Sequence, residues 1–244
     1  MGEAMARVLL NYADGAFLAA QKRNARSGMD IGGFDSVAML GRSHIDPAFV
    51  ERNRFILDQP RGAGYWLWKP WAIWTLLRNH LKDGDVLFYC DSGAHFVHRA
   101  DPVIDLCRER RDLPILLFTL EDKFKNRGWT KRDCFHFMRL DRPDYTDATQ
   151  ILASFIVCER TPETIAFVSE WLRFAQDERI LTDAPNECGK PNYPEFRDHR
   201  HDQSILSLLA RRRGVSTIPD ISQWGDDRRP AEIPRILLHT RQRD

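Results

Sequence analysis

The residues best equipped for chemistry sit where ordered segments stop. Asp91 closes the apolar run Asp85 to Cys90 (DVLFYC) and is followed by Ser92 and Gly93. A carboxylate at the end of a buried strand in an α/β protein lies on the rim where such proteins bind ligands. The same residue could instead be a turn aspartate or a helix cap. His239 follows Ile236, Leu237 and Leu238, and a short strand there would bring a neutral imidazole, a competent metal ligand, to a similar rim. A lone histidine also commonly satisfies a local hydrogen bond. Lys69 lies among Trp66, Trp68 and Trp71, with Pro70 opening a helix behind it. A cation there, between large apolar surfaces, suits a phosphate or a sugar ring, although two of the three tryptophans are expected in the core. Arg61, ahead of Gly62 and Gly64, supplies a second cation on a loop whose backbone can approach a ligand closely.

Two more polar clusters follow. Trp129 to Asp133 (WTKRD) mixes an aromatic with both charge signs, with Thr130 a candidate N-cap. His201, Asp202, Gln203 and Ser204 open a helix after a long irregular stretch. Asp202 there is either a cap or a group that meets a substrate beneath a lid. Carboxylates, a late histidine, lysine and arginine are the groups that stabilise a departing diphosphate, through a divalent cation or directly.

The elements that must hold these residues read as α/β. Short apolar runs at Ala6 to Asn11, Ser36 to Leu40, Asp85 to Cys90, Ile115 to Thr119, Ala153 to Cys158, Val215 to Pro219 and Ile236 to His239 predict strands. Helical patterning intervenes up to Gln21, after Asp46-Pro47, over Ala72 to Leu81, Pro162 to Gln176 and Asp202 to Arg212. Asp177 to Arg200, rich in Pro, Asn, Gly and charge, predicts a surface loop or mobile lid.

With 244 residues, one α/β domain spanning 1–244 is expected. The balance of 36 Lys and Arg against 35 Asp and Glu leaves a formal charge of +1, so no global field recruits nucleic acid or an anionic membrane. The basic runs Arg108, Arg110, Arg111 and Arg211 to Arg213 read as solvated charge near helix C-termini. Five scattered cysteines lack zinc or redox spacing and read as reduced thiols. No apolar run reaches about 18 residues, so no transmembrane segment is expected. The cytoplasm is the expected location, with a peripheral position at the inner face of a membrane as an extension of it.

The block RGAGYWLWKPWAIWTLL followed by GDVLFYCDSG resembles bacterial GT-A-fold glycosyltransferases of the nucleotide-diphospho-sugar transferase superfamily, of the capsular and surface-polysaccharide type. WTKRDCF, ASFIVCERT, HDQSILS and the terminal LLHTR extend the resemblance over most of the chain. It implies a single Rossmann-like GT-A domain, α/β, with a mixed, mainly parallel central sheet flanked by helices. Residues 1–120 would form the nucleotide-sugar half and 121–244 the acceptor half. The implied enzyme is a hexosyltransferase moving a sugar from a UDP-sugar to a glycan, lipid-linked or other acceptor with retention. Tyr12, Asp14, Arg61, Tyr65, Lys69, Asp91 and Ser92 would bind the donor. Trp129, Lys131, Asp133 and His201 would meet the acceptor, and Asp202 and Gln203 the reacting centre. Asp91 and His239 would ligate a divalent metal, Mn²⁺, although Gly93 stands where the second carboxylate of a DxD motif belongs. If configuration were inverted, Asp202 would be the first choice of general base.

That glycine motivates an alternative, a non-catalytic nucleotide- or carbohydrate-binding module on the same fold. A nucleotidyltransferase would want a Gly-rich phosphate loop after the first strand, and YADGAF is a poor version of one.

Overall fold

The computed structural model describes residues 5–110 and 112–240. Arg111 and Arg241, which belong to the basic run and to LLHTR, lie outside the described residues, as do the ends of the expected 1–244 domain.

In chain order the main elements are β1 (Arg7–Tyr12), α1 (Leu18–Ser27), β2 (Ser36–Leu40), α2 (Pro47–Arg52), α3 (Trp68–Asn79), β3 (Val86–Cys90), β4 (Ala94–Phe96) and α4 (Asp101–Arg108). They continue with β5 (Ile115–Thr119), α5 (Arg132–Phe137), β6 (Ile151–Glu159), α6 (Pro162–Ala175), α7 (Glu178–Leu181), α8 (His201–Arg213), β7 (Thr217–Pro219) and β8 (Leu237–His239). The six-stranded sheet runs β2-β1-β3-β6-β5-β7, and β6 alone is antiparallel to its neighbours. It is the mixed, mainly parallel sheet, flanked by helices, that the resemblance implies.

Alternation in each strand feeds two cores. In β3, Leu87 and Tyr89 pack with α3, α6 and α8, whereas Val86, Phe88 and Cys90 pack on the other face with α4 and the β4–β8 ribbon. Strands buried on both faces read as continuous apolar runs, which is why β3, β5 and β6 stand out in sequence. Asp85 lies just before β3 and accepts hydrogen bonds from the backbone N–H groups of Ala6 and Lys82. The N-cap of α2 is Asp46, which accepts from Phe49 N at 2.8 Å, with Pro47 at the first helical position.

Several expectations are corrected. Ile236 to His239 does form a strand, but it pairs with the unpredicted β4 in a separate two-stranded ribbon, Ala94 opposite His239. Thr130 is not the N-cap; its hydroxyl donates to Ser204 Oγ at 3.0 Å, and Lys131 occupies the N-cap of α5. Asp202 is no cap either, because α8 begins at His201 with Arg200 as the capping position. The 177–200 segment contains α7 and is fastened to the body along its length, as described below. Arg212 and Arg213, at the end of α8, both pair with Glu170, as solvated helix-end charge does. All five cysteines are free thiols. Among the described residues no helix is long and apolar enough to cross a membrane.

Candidate functional site

The site opens at the C-terminal ends of β1 and β3, adjacent parallel strands. Ser92 Oγ donates to the Tyr12 carbonyl at 2.6 Å and ties the two ends together. The Tyr12 ring stacks on Trp68, 3.8 Å between centroids and 11° between planes. Above them lies a cleft of about 870 Å³ lined by Tyr12, Asp14, Arg61, Trp66, Asp91 and His239, among others. That volume is in the range of small-molecule and cofactor sites. A smaller inner cavity, about 220 Å³, adjoins it; Arg61, Trp66, Asp91 and Ser154 line both.

Lys69 belongs to the inner cavity. As the second residue of α3 it is buried, with 3% of its side chain exposed, and three oxygens surround its ammonium. Nζ donates to the Ala153 carbonyl at 3.1 Å, lies 3.4 Å from Asp91 Oδ1, and pairs with Asp202 Oδ2 at 3.1 Å. Burial alone would depress the lysine, but Asp202 and Asp91 more than offset it, so its pKa is raised and the ammonium is held charged. Burial pushes the Asp202 carboxyl up to about 6 against the pull of Lys69. Asp91 Oδ1 also accepts from the Tyr89 hydroxyl at 2.5 Å. Tyr89 was not anticipated; two residues before Asp91, it projects to the same side of the strand.

The wall shared by the cavities is strained. Gly62, Ala63, Gly64, Tyr65 and Trp66 all have left-handed φ, from 51° to 95°. For the three non-glycines this costs on the order of 1–2 kcal/mol each. Backbone strain of this kind persists where the surroundings over-determine it, commonly at functional sites. The turn is braced by Trp68 Nε1 donating to the Gly62 carbonyl at 3.0 Å. Tyr65 and Trp66 pack on His201, itself at φ 47°, whose Nδ1 lies 2.8 Å from the Leu181 carbonyl. Burial lowers the His201 pKa, so the ring is neutral near pH 7 and Nδ1 carries the proton that bonds Leu181.

The sequence matches no protein-family model and no curated protein. Among solved structures, apo mouse xyloside xylosyltransferase 1 superposes with a TM-score of 0.51 at 8% identity, over 96% of this chain and 97% of that one. The chain has a GT-A glycosyltransferase fold. The apo WbbM bifunctional glycosyltransferase aligns at a TM-score of 0.47 and 9% identity, over 85% of this chain and 38% of that one.

On that fold the residues singled out in sequence divide. Tyr12, Asp14, Arg61, Asp91, Ser92 and His239 line the outer cleft, and Lys69, His201, Asp202 and Gln203 the inner cavity. Tyr65 acts from behind, against His201. Gln203 is held at both ends: Nε2 donates to Gln150 Oε1 at 2.7 Å, and Oε1 accepts from Ala153 N at 3.3 Å.

Trp129, Lys131 and Asp133 lie elsewhere. Trp129 borders a separate surface cavity and carries the Arg200 guanidinium 4.2 Å from its ring centroid. Lys131 donates from Nζ to the carbonyls of Thr182 at 3.3 Å and Ala184 at 2.5 Å. Asp133 accepts from the backbone N–H groups of Glu187 at 2.7 Å and Cys188 at 2.9 Å. Arg61 adds ion pairs to Asp183 at 3.1 Å and Asp198 at 3.0 Å. The WTKRD motif therefore fastens the 182–200 segment over the inner cavity.

For a metal, the donor set is small. Among the described residues no group of three or more His, Cys, Asp or Glu is arranged around one point. Asp91 and His239 do line the same cleft. The contacts of Asp91 with Tyr89 and Lys69 both use Oδ1, so Oδ2 keeps its lone pairs. Two protein donors fit a divalent cation that takes its remaining ligands from substrate phosphates and water.

Proposed function

We propose that the chain is a glycosyltransferase that moves a sugar from a UDP-sugar to a glycan, lipid-linked or other hydroxyl acceptor with retention of configuration. The observation that carries this is the meeting of Asp91, Lys69 and Asp202 at the join between a nucleotide-sized cleft and a smaller inner cavity, on a GT-A fold. The nucleotide lies along Tyr12, Asp14 and Ser92 in the outer cleft, with its diphosphate near Asp91. The transferred sugar turns into the inner cavity toward Asp202 and Gln203.

Asp91 and His239 would hold the divalent cation, Mn²⁺, which when bound neutralises charge developing on the diphosphate. Arg61 is the one Lys or Arg side chain lining the outer cleft among the described residues, so it supplies the protein's own cation there. In transfer, the bond from the anomeric carbon to the diphosphate oxygen breaks and its electron pair leaves with the diphosphate. The acceptor hydroxyl oxygen forms the new bond, and its proton passes to the departing diphosphate. Asp202 faces the anomeric centre as positive charge grows there.

A panel of nucleotide sugars with Mn²⁺ tests the reading: the expected result is slow donor hydrolysis together with thermal stabilisation by UDP. No response to any nucleotide, with or without metal, would sink it. Nucleotide binding without turnover, unchanged in Asp91→Ala, would favour the non-catalytic module that Gly93 suggests. An anomeric proton spectrum of the product tests retention; an inverted product would reassign Asp202 as general base.

A further inference from the structure

The buried lysine is the natural partner for a diphosphate by residue type, yet its surroundings give it other work. Its ammonium has three donors, and three oxygens already lie within 3.4 Å of it: the Ala153 carbonyl, Asp91 Oδ1 and Asp202 Oδ2. It lines the inner cavity and not the outer cleft, where Arg61 stands. The indole of Trp68 and the ring of Tyr89, with centroids 5.8 Å and 5.1 Å from Nζ, add apolar walls and aromatic faces to the same cation. Reaching a phosphate in the outer cleft would strand Asp202, 4% exposed, as an uncompensated buried charge.

Resting on the glycosyltransferase reading above, we infer that Lys69 is a positioning residue: it holds Asp91 and Asp202 together on the floor of the inner cavity and does not bind the diphosphate. Fixed by the ammonium, the buried Asp202 carboxylate faces the positive charge that grows on a sugar losing its diphosphate, and Asp91 faces the diphosphate side.

Lys69→Met separates the roles. UDP carries the full charge of the leaving group, so a lysine that served the diphosphate would cost UDP affinity tenfold or more when removed. The expected result for Lys69→Met is a UDP dissociation constant within about threefold of wild type by calorimetry, with kcat for donor hydrolysis lowered about a hundredfold or more. A tenfold loss of UDP affinity in a folded variant overturns the inference, as does an unchanged kcat.

A thermal-stability cycle over Lys69→Met, Asp202→Asn and the double variant reads the contact without turnover. The inference requires that Lys69→Met cost clearly less in the Asp202→Asn background, because the stranded carboxylate is then absent; additive effects overturn it. Should Lys69→Met not fold, Lys69→Gln takes its place in both measurements. Failure of wild type to bind any nucleotide counts against the parent reading instead, and leaves the cycle to decide this one.

Discussion

The imidazole of His201 lies 5.5 Å from the indole of Trp66, centroid to centroid, with 25° between the planes, and both residues have left-handed φ. Two strained backbones from distant parts of the chain are thus stacked together beside the inner cavity. Each is held in place by the other, and strain that is over-determined in this way fixes side-chain geometry closely.

The glycines of the turn are therefore hard to replace. A Cβ on Gly64, at φ 95°, would come within 2.6 Å of Leu57 Cα, a backbone atom that cannot swing aside. Gly64→Ala should cost about 3 kcal/mol or more in denaturant unfolding, from collision plus backbone strain. Gly189, at φ 72° with nothing within 4 Å of its would-be Cβ, isolates the backbone component, and Gly189→Ala should cost about 1 kcal/mol. Equal losses in the two variants would contradict the packing argument.

Asp202 should leave a signature in stability against pH. Its pKa is about 6 in the folded chain, because burial disfavours the ionised form, against about 3.9 unfolded. Between those values the folded state holds the proton and the unfolded state releases it, so stability is lost as pH rises from about 4 to about 6 and is level above that. Relative to Asp202→Asn, wild type should lose on the order of 2–3 kcal/mol across that interval. The check is urea unfolding of both proteins at pH 4, 5, 6 and 7; a pH-independent difference would remove the perturbed carboxyl.

Much of this site could be seen in the sequence, and what could not has physical reasons. Strands β1, β3 and β6 are apolar on both faces and announce themselves, and with them comes the placement of Tyr12 and Asp91 at strand ends. β4 is three residues long and its partner β8 is near the far end of the chain, so no local pattern marks it. Lys69 was legible as an unusual cation among tryptophans, but the oxygens that claim it come from β3, β6 and α8, which only the fold brings together. WTKRD was legible as a motif, but the contacts it makes were not. Lys131 and Asp133 bond main-chain carbonyls and amides of 182–188, which leave no trace in side-chain spacing.

The metal reading predicts linked losses at Asp91 and His239. With Mn²⁺ present and ligand at about a hundred times its dissociation constant, UDP should stabilise wild type by about 2.7 kcal/mol, or roughly 5–10 °C for a chain of this size. Chelation by EDTA should remove most of that shift and restoring Mn²⁺ should recover it. Asp91→Asn and His239→Ala should each abolish the metal-dependent part while leaving the melting temperature of the unliganded protein within a few degrees. A full UDP shift in EDTA, unaltered by His239→Ala, would mean that nucleotide binding owes nothing to the pair.

Asp133 is wholly buried. Burial would raise its pKa, but the Cys188 thiol, the amides of Glu187 and Cys188 and the Lys131 charge outweigh that, so the carboxyl is held below the usual range and ionised. Replacing it with alanine strands two backbone donors, at about 1–3 kcal/mol each. Lys131→Met does the same to the carbonyls of Thr182 and Ala184. Because the anchors act on a stretch without regular structure beyond α7, the loss should be local. Amide exchange at Glu187 and Cys188 should speed up by a factor of ten or more in Asp133→Ala, while amides of β3 and β6 remain protected. If WTKRD instead contacted the acceptor directly, exchange in 182–188 would be unchanged and the acceptor KM alone would rise. Loosening the segment should disturb donor binding as far as Arg61, which pairs with Asp183 and Asp198, loses its footing on it. On that account Arg61→Met should reproduce part of the faster exchange at residues near Asp183 and Asp198, and none of it at Gln150, which bonds Gln203, Trp129 and Thr130 instead.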